Sequence, residues 1–307
     1  MTKYRIILNP TAGKGAGKRL HHEIEATLKN LGLDFSIVQT EHPGHGIELA
    51  GQAVAEKFDV VVAVGGDGTS NEVINGLMLA KRAGIGKAAM AVIPIGRGND
   101  FAYSMHIPTD WKKAAELLVN DPRQPLDIGF VVGELYPDGR YFGNGIGIGF
   151  DAVVGFVAAK SKLTGMMAYL MAALKTIYIY FKAPTVRLEL DDKTITVKAL
   201  MVSIMNGRRM GGGFYMAPDS RSDDGVFDLC VVSQVSRGGI FKLIPRFMKG
   251  TQGGHPAVQF VRTRKLVATA VEGTLPAHAD GETLCTDGHR LDVELLPGQF
   301  KLITLAN

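Results

Sequence analysis

Apolar residues in the N-terminal third of the chain switch between two periods. "YRIILNP" opens as a strand, and residues 16–31 then carry Leu20, Ile24, Leu28 and Leu31 at helical spacing before Gly32, a helix stop. "DFSIVQT" predicts a second strand and 45–57 a helix. "DVVVAV" predicts a third strand, of the uninterrupted apolar kind that parallel sheets bury on both faces. From about Ser70, Val73, Ile74, Leu77 and Met78 share one helical face, with Thr69 and Glu72 as a capping box at its start. "AAMAVIPI" is a fourth strand and 110–119 a further helix. This alternation predicts a doubly wound α/β domain, with ligands gathered at the carboxyl ends of its strands.

The pattern changes after "DPRQPLDIG", residues 121–129. Strands are predicted at 127–133, 140–148, 185–191, 194–204, 226–233, 258–270, 277–279 and 290–295. "LELDDKTITV" reads as a hairpin, and helices are expected at 165–181 and 237–249. The expected organisation is an α/β domain over 1–125, rejoined by 297–307, and an antiparallel β domain over 126–296. No internal repeat or low-complexity tract interrupts it.

Composition narrows the class. At 307 residues, 46% hydrophobic and 21% charged, the chain has ample material for a core. A net charge of +4 suits anionic ligands or an anionic membrane surface and falls short of a polybasic nucleic-acid binder. The two cysteines, Cys230 and Cys285, form no CxxC pair, so no zinc spacing exists. The chain opens straight into a strand with no signal peptide, so the expected location is the cytoplasm. The apolar run at 163–182 is too short to span a bilayer and is interrupted by Lys175. It reads as a largely buried helix, able to shape an apolar groove.

Candidate chemistry lies at strand ends. "NPTAGKGAGKR" sets Gly13, Gly15 and Gly17 among lysines, either as an anion-binding loop or as a turn capping the next helix. It is not a Walker A loop, since Ala12 and Arg19 stand where Gly and Ser or Thr are needed. "GGDGTSN" follows the third strand. Its position favours a phosphate site, with Asp67 bridging through Mg²⁺ or orienting a water. "IPIGRGNDFAYSM" ends the fourth strand, with Asn99 or Asp100 as N-cap or ligand. Later, "APDSRSDDGVFDL" has the look of a solvated acidic turn. "HADGETL" is either a turn or a strand with Asp280 and Glu282 on one face, as a general base and its neighbour would be.

Together "NPTAGKG", "GGDGTSNEVING", "IPIGRGNDFA", "APDSRSDDGVFDL" and "DGE" make the chain resemble the diacylglycerol kinase catalytic-domain family in its bacterial branch, over nearly all of its length. That family is related to sphingosine and NAD kinases. The resemblance implies an α/β ATP-binding domain followed by a β-sandwich. It implies nucleotide contacts at Asn9, Pro10, Thr11, Ala12, Gly13, Thr40, Gly65, Gly66, Asp67, Gly68, Thr69, Ser70, Asn71, Glu72, Arg97, Asn99 and Asp100. A metal ion is implied on the Asp224 side chain and the carbonyls of Arg221 and Val226, with Glu282 as proton acceptor beside Asp280. Arg97 departs from the Thr usual in the family and could reach phosphate instead.

The expected function is ATP- and Mg²⁺-dependent phosphorylation of a lipid hydroxyl, most simply that of diacylglycerol. Glu282, Asp280 and Asp67 are the catalytic candidates. The expected partners are ATP and a lipid at a membrane surface, without a transmembrane span or nucleic acid; a homodimer stays open. The rival readings are an NAD kinase-like enzyme with a soluble substrate and a regulator that has lost catalysis.

Overall fold

The computed structural model describes residues 1–159, 165–179 and 183–305. The chain divides into two compact units, Met1–Asp127 with Pro297–Asn307, and Ile128–Leu296.

In the first unit strands and helices alternate: β1 (Lys3–Leu8), α1 (Ala12–Asn30), β2 (Asp34–Gln39), α2 (His45–Ala55), β3 (Val60–Gly65), α3 (Asp67–Arg82), β4 (Ala89–Pro94), α4 (Asp100–Ser104) and α5 (Trp111–Asn120). The strands pair in parallel in the order β2-β1-β3-β4, with Ile6 between Ile37 and Val62. Every residue of β3 and β4 is buried, which is why neither run alternates with polar residues. Ile24 and Leu28 of α1 and Leu118 of α5 close the core against Leu8, Val64 and Ile93.

One helix start differs from the expectation. α3 begins at Asp67 rather than Ser70, with no side-chain cap. Glu72 makes no capping box with Thr69. Its Oε1 accepts the N–H of Gly44 (2.8 Å) and its Oε2 that of Gly46 (2.9 Å), so it caps the start of α2 instead.

The chain leaves the first unit within β5 (Arg123–Gly133). There follow β6 (Tyr136–Phe142), β7 (Gly145–Gly149), α6 (Phe150–Ala159), α7 (Gly165–Ile179), β8 (Thr185–Leu190), β9 (Thr194–Met205), β10 (Arg209–Met210) and β11 (Phe214–Tyr215). Then come β12 (Phe227–Ser233), α8 (Arg237–Lys249), β13 (Val258–Thr263), β14 (Lys265–Glu272), β15 (Leu275–Ala279), β16 (Glu282–Gly288) and β17 (Arg290–Ile303). From Pro297 onward β17 belongs to the first unit, where Leu302 pairs in parallel with Met90.

β9 joins the two antiparallel sheets of the second unit. Its first half pairs with β8, and its second half with β7 and β12. Val202 and Ile204 enter the sandwich core with Phe142, Phe227, Leu266 and Leu291. Met201 and Met205 point the opposite way, as a period of two requires, and pack with α6, α7 and α8.

Two expected strands are each broken. The run 140–148 stops at Gly143 and Asn144, and 258–270 stops at Arg264, whose N–H goes to Asp191 Oδ2 (2.5 Å). β16 and α6 were not expected; "FDAVVGFVAA" has no polar face to mark a helix. The ends of the helix expected over 163–182, at 163–164 and 180–182, lie outside the described residues, as do 306–307. Among the described residues no helix is long and apolar enough to cross a membrane.

Candidate active site

In the first unit the loops after β1, β3 and β4 touch. Asn9 closes β1: its Nδ2 donates to Thr69 Oγ1 (3.1 Å), and its Oδ1 accepts the N–H (3.0 Å) and hydroxyl (2.8 Å) of Thr11. Gly13, Lys14 and Gly15 then run left-handed, at φ 58°, 57° and 81°, before α1 becomes regular. A Cβ on Gly13 would stand 2.2 Å from the carbonyl oxygen of Ile95, so only glycine lets this loop press on the end of β4. Likewise a Cβ on Gly96 would stand 2.5 Å from Gly66 Cα.

Side chains complete the contact. Asp67 Oδ1 accepts the N–H of Phe101 (2.9 Å), tying the third loop to the start of α3. Asn99, at φ 52°, donates to the carbonyl of Gly96 (3.2 Å). Asp100 is buried at the head of α4, while Arg97 is exposed. Pro10 lies in the first of these loops, Ala12 opens α1, Gly65 ends β3, Gly68, Ser70 and Asn71 lie in the first turns of α3, and Thr40 follows β2 with its N–H on Leu8 O (3.0 Å). Glu72 does not join them, because both its oxygens serve α2. The first N–H groups of α3 have no helical acceptor, and the helix dipole is positive there. The arrangement suits an anion with several oxygens.

In the second unit, Asp280 (φ 48°) and Gly281 (φ 89°) form the two-residue turn between β15 and β16, with Ala279 paired to Glu282. The same-face strand pair of carboxylates is therefore corrected: Asp280 is in the turn. Its Oδ2 accepts the N–H of Gly143 (2.8 Å), and its Oδ1 those of Asn144 (3.0 Å) and Gly145 (2.9 Å). A carboxylate so engaged holds a loop. Asn206, fully buried, supports the same loop from behind through Gly143 O (2.7 Å) and Asn144 O (2.9 Å). Glu282 is the open carboxylate, its side chain 44% exposed, with Arg140 Nη2 3.9 Å from its Oε2. Arg140 in turn lies over the Tyr136 ring, 4.9 Å from its centre.

The acidic turn at 221–226 does not fit a cation as arranged. Asp224 is ion-paired with Arg262, which also meets Asp228 (3.2 Å), and Arg221 pairs with Asp223 (3.1 Å). The metal expected on Asp224 with the carbonyls of Arg221 and Val226 would have to displace a guanidinium. Among the described residues no cluster of three metal-ligating side chains occurs.

A cavity lies against β9 and β12, walled by α6, α7 and α8, with an empty volume of about 590 Å³, part of it continuous with solvent. Phe150, Tyr169, Met201, Phe214, Leu243 and Phe247 are among its walls, and among the described residues Asp151 is the one charged group in its lining. Asp151 is half-buried because it faces this space, yet its Oδ2 is shut off from water. Burial pushes its carboxyl up, against the pull of His278. Sequence reasoning missed Asp151, Asn144 and Asn206. Only the Asn-Gly pairs ending apolar runs, "GNG" and "MNG", mark the two asparagines as turn residues.

The first unit is thus parallel α/β with converging glycine loops, and the second an antiparallel sandwich with an apolar cavity. Residues 3–131 match the diacylglycerol kinase catalytic domain, and residues 144–304 match the YegS C-terminal NAD kinase beta sandwich-like domain. A diacylglycerol kinase of Bacillus subtilis is 30% identical over 303 residues, covering 98% of this chain and 93% of that protein. One from Staphylococcus saprophyticus is 29% identical over 281 residues, covering 91% and 88%. A crystal structure of a diacylglycerol kinase from Bacillus anthracis shares the fold, with a TM-score of 0.74 at 23% identity over 99% of this chain and 97% of that one. The chain belongs to the diacylglycerol kinase family.

Proposed function

We infer that the protein transfers the γ-phosphoryl group of ATP to a lipid hydroxyl. Diacylglycerol is the acceptor and phosphatidic acid the product, at the cytoplasmic face of a membrane. The observation that carries this reading is the cavity of the second unit. Its walls are apolar, and among the described residues its lining holds a single charged group, Asp151. Acyl chains suit such walls. A soluble nucleotide acceptor would leave its polar groups unpaired there. The naming of the bacillal and staphylococcal relatives as diacylglycerol kinases supports the same acceptor.

Each group then has a task. The N–H groups of residues 13–15 and of the first turn of α3 cradle the phosphates, and the exposed Arg97 reaches a phosphate oxygen. Asp67, half-buried with its Oδ1 on the N–H of Phe101, would hold a Mg²⁺ ion, which would offset charge on the nucleotide phosphates. The lipid hydroxyl oxygen forms its bond to the γ-phosphorus as the bond to the bridging oxygen breaks and ADP leaves. Glu282 takes the hydroxyl proton. Asp280 positions residues 143–145 and takes no proton.

The test is incubation of the purified protein with γ-labelled ATP, Mg²⁺, diacylglycerol, a panel of other lipids and NAD. Label is expected in phosphatidic acid. Label on NAD and on no lipid would end this reading. Glu282→Gln should lower kcat by about 10²–10⁴-fold, and a near-normal rate would remove Glu282 as the base.

A further inference from the structure

α8 has two unlike faces. Ile240, Leu243, Ile244 and Phe247, spaced at 0, 3, 4 and 7, wall the apolar cavity. The opposite face carries Arg237, Phe241, Lys242, Pro245, Arg246 and Lys249, all exposed, and the helix contains no acid. Phe241 is 44% exposed and stands among these cations.

α7 repeats the arrangement. Tyr169 and Ala173 face the cavity, whereas Met167, Met171, Lys175 and Tyr178 lie on the outer side, and this helix too has no acid. The two outer faces adjoin, since the Arg237 guanidinium lies 5.9 Å from the centre of the Tyr178 ring. Among the described residues, Lys175, Lys242, Arg246 and Lys249 take part in no ion pair. Structural cations on a solvated surface are usually interspersed with carboxylates; here they are interspersed with Met, Tyr and Phe.

We propose that the outer face of α8, continued by that of α7, docks on an anionic lipid surface. Charge complementarity selects the partner. Lysines and arginines meet lipid phosphates, while Phe241, Met171 and Tyr178 enter the boundary between headgroups and acyl chains. The same two helices wall the cavity with their inner faces, so docking sets the cavity wall against the membrane that holds its ligand. The proposal rests on the lipid-kinase reading for its purpose, but its test does not.

The experiment is co-sedimentation of the full chain with vesicles. One set is phosphatidylglycerol and phosphatidylcholine in equal parts, and the other is phosphatidylcholine alone. The wild type should bind the anionic set, release with rising salt, and leave the neutral set in solution. Charge reversal in K242E/R246E/K249E should weaken binding on the order of 100-fold, and Phe241→Ser about tenfold. Both variants should phosphorylate a short-chain diacylglycerol in solution as the wild type does. Equal binding of wild type and charge-reversed variant would overturn the proposal. So would failure of the wild type to bind anionic vesicles, which would point to an acidic protein as the partner. If the wild type itself does not phosphorylate the soluble diacylglycerol, the kinase reading fails, and the sedimentation result still decides the surface.

Discussion

The carboxylate of Asp280 lies 3.0 Å from the backbone nitrogen of Asn144, and the same two oxygens hold Gly143 and Gly145. This turn residue thus fixes a loop more than a hundred positions earlier in the chain. Charge-assisted hydrogen bonds contribute about 1.5–3 kcal/mol each, but they are not additive. Asp280→Ala leaves three N–H donors unmet and should destabilise the second unit by about 3 kcal/mol, read by urea denaturation. Amide exchange should quicken at Gly143, Asn144 and Gly145 in particular. Asp280→Ala with wild-type stability and wild-type exchange would show that the loop holds itself.

Gly13 presses on Ile95 in the same manner within the first unit. Gly13→Ala puts a Cβ 2.2 Å from a carbonyl oxygen at a φ of 58°, which side chains rarely adopt. Backbone strain of this kind costs of order 1–3 kcal/mol, and relief requires the β1 loop to move off β4. The expected result is a rise of about tenfold or more in KM for ATP, with the lipid KM unchanged. An unchanged ATP KM would mean that the left-handed run does not touch the nucleotide.

These two contacts mark where the sequence is legible and where it is not. The buried runs of β3 and β4 and the glycines after them are local features, so the strands, the α/β class and the three candidate loops could be read from them. The roles of acids were harder, because an acid takes its role from its partner. Glu72 stands three residues after Thr69 as a capping box requires, but the N–H groups of Gly44 and Gly46 claim it from 28 and 26 positions away. Asp280 and Glu282 have the spacing of a strand face, but the left-handed Asp280–Gly281 pair turns the chain between them. Asp224 resembles an open acid until Arg262, on a neighbouring strand, is brought against it. α6 escaped because an apolar helix covered on most sides has no polar period to detect.

Arg97 offers a test of nucleotide binding free of packing effects. It is exposed at the tip of the loop after β4, so its removal should leave stability within about 0.5 kcal/mol of the wild type. A charge-assisted contact to phosphate that is equal in ground and transition states affects KM alone. Arg97→Thr should therefore raise KM for ATP by about tenfold and leave kcat unchanged. A fall in kcat at constant KM would instead assign Arg97 to the transition state.

Asp151 makes the fold sensitive to pH in a direction that can be worked out. Burial in the cavity wall raises its folded-state pKa above the ordinary 3.8, with His278 opposing the shift. The folded state therefore prefers the protonated acid. Below the ordinary value the carboxyl is neutral in both folded and unfolded chains, and burial carries no penalty. As pH rises through 3.8, the unfolded chain loses its proton while the folded chain keeps it, and stability falls. The loss is complete once pH passes the raised folded value. Asp151→Asn removes the titration and keeps the shape. Its melting temperature should exceed that of the wild type at pH 7, and the difference should shrink towards zero as the pH is lowered below the ordinary carboxylate range. Equal melting temperatures of the two proteins at every pH would show that the Asp151 carboxyl reaches water through the cavity. A filled cavity changes the balance: an acyl chain that dries the wall should raise the Asp151 pKa further and widen the pH 7 difference in the presence of diacylglycerol.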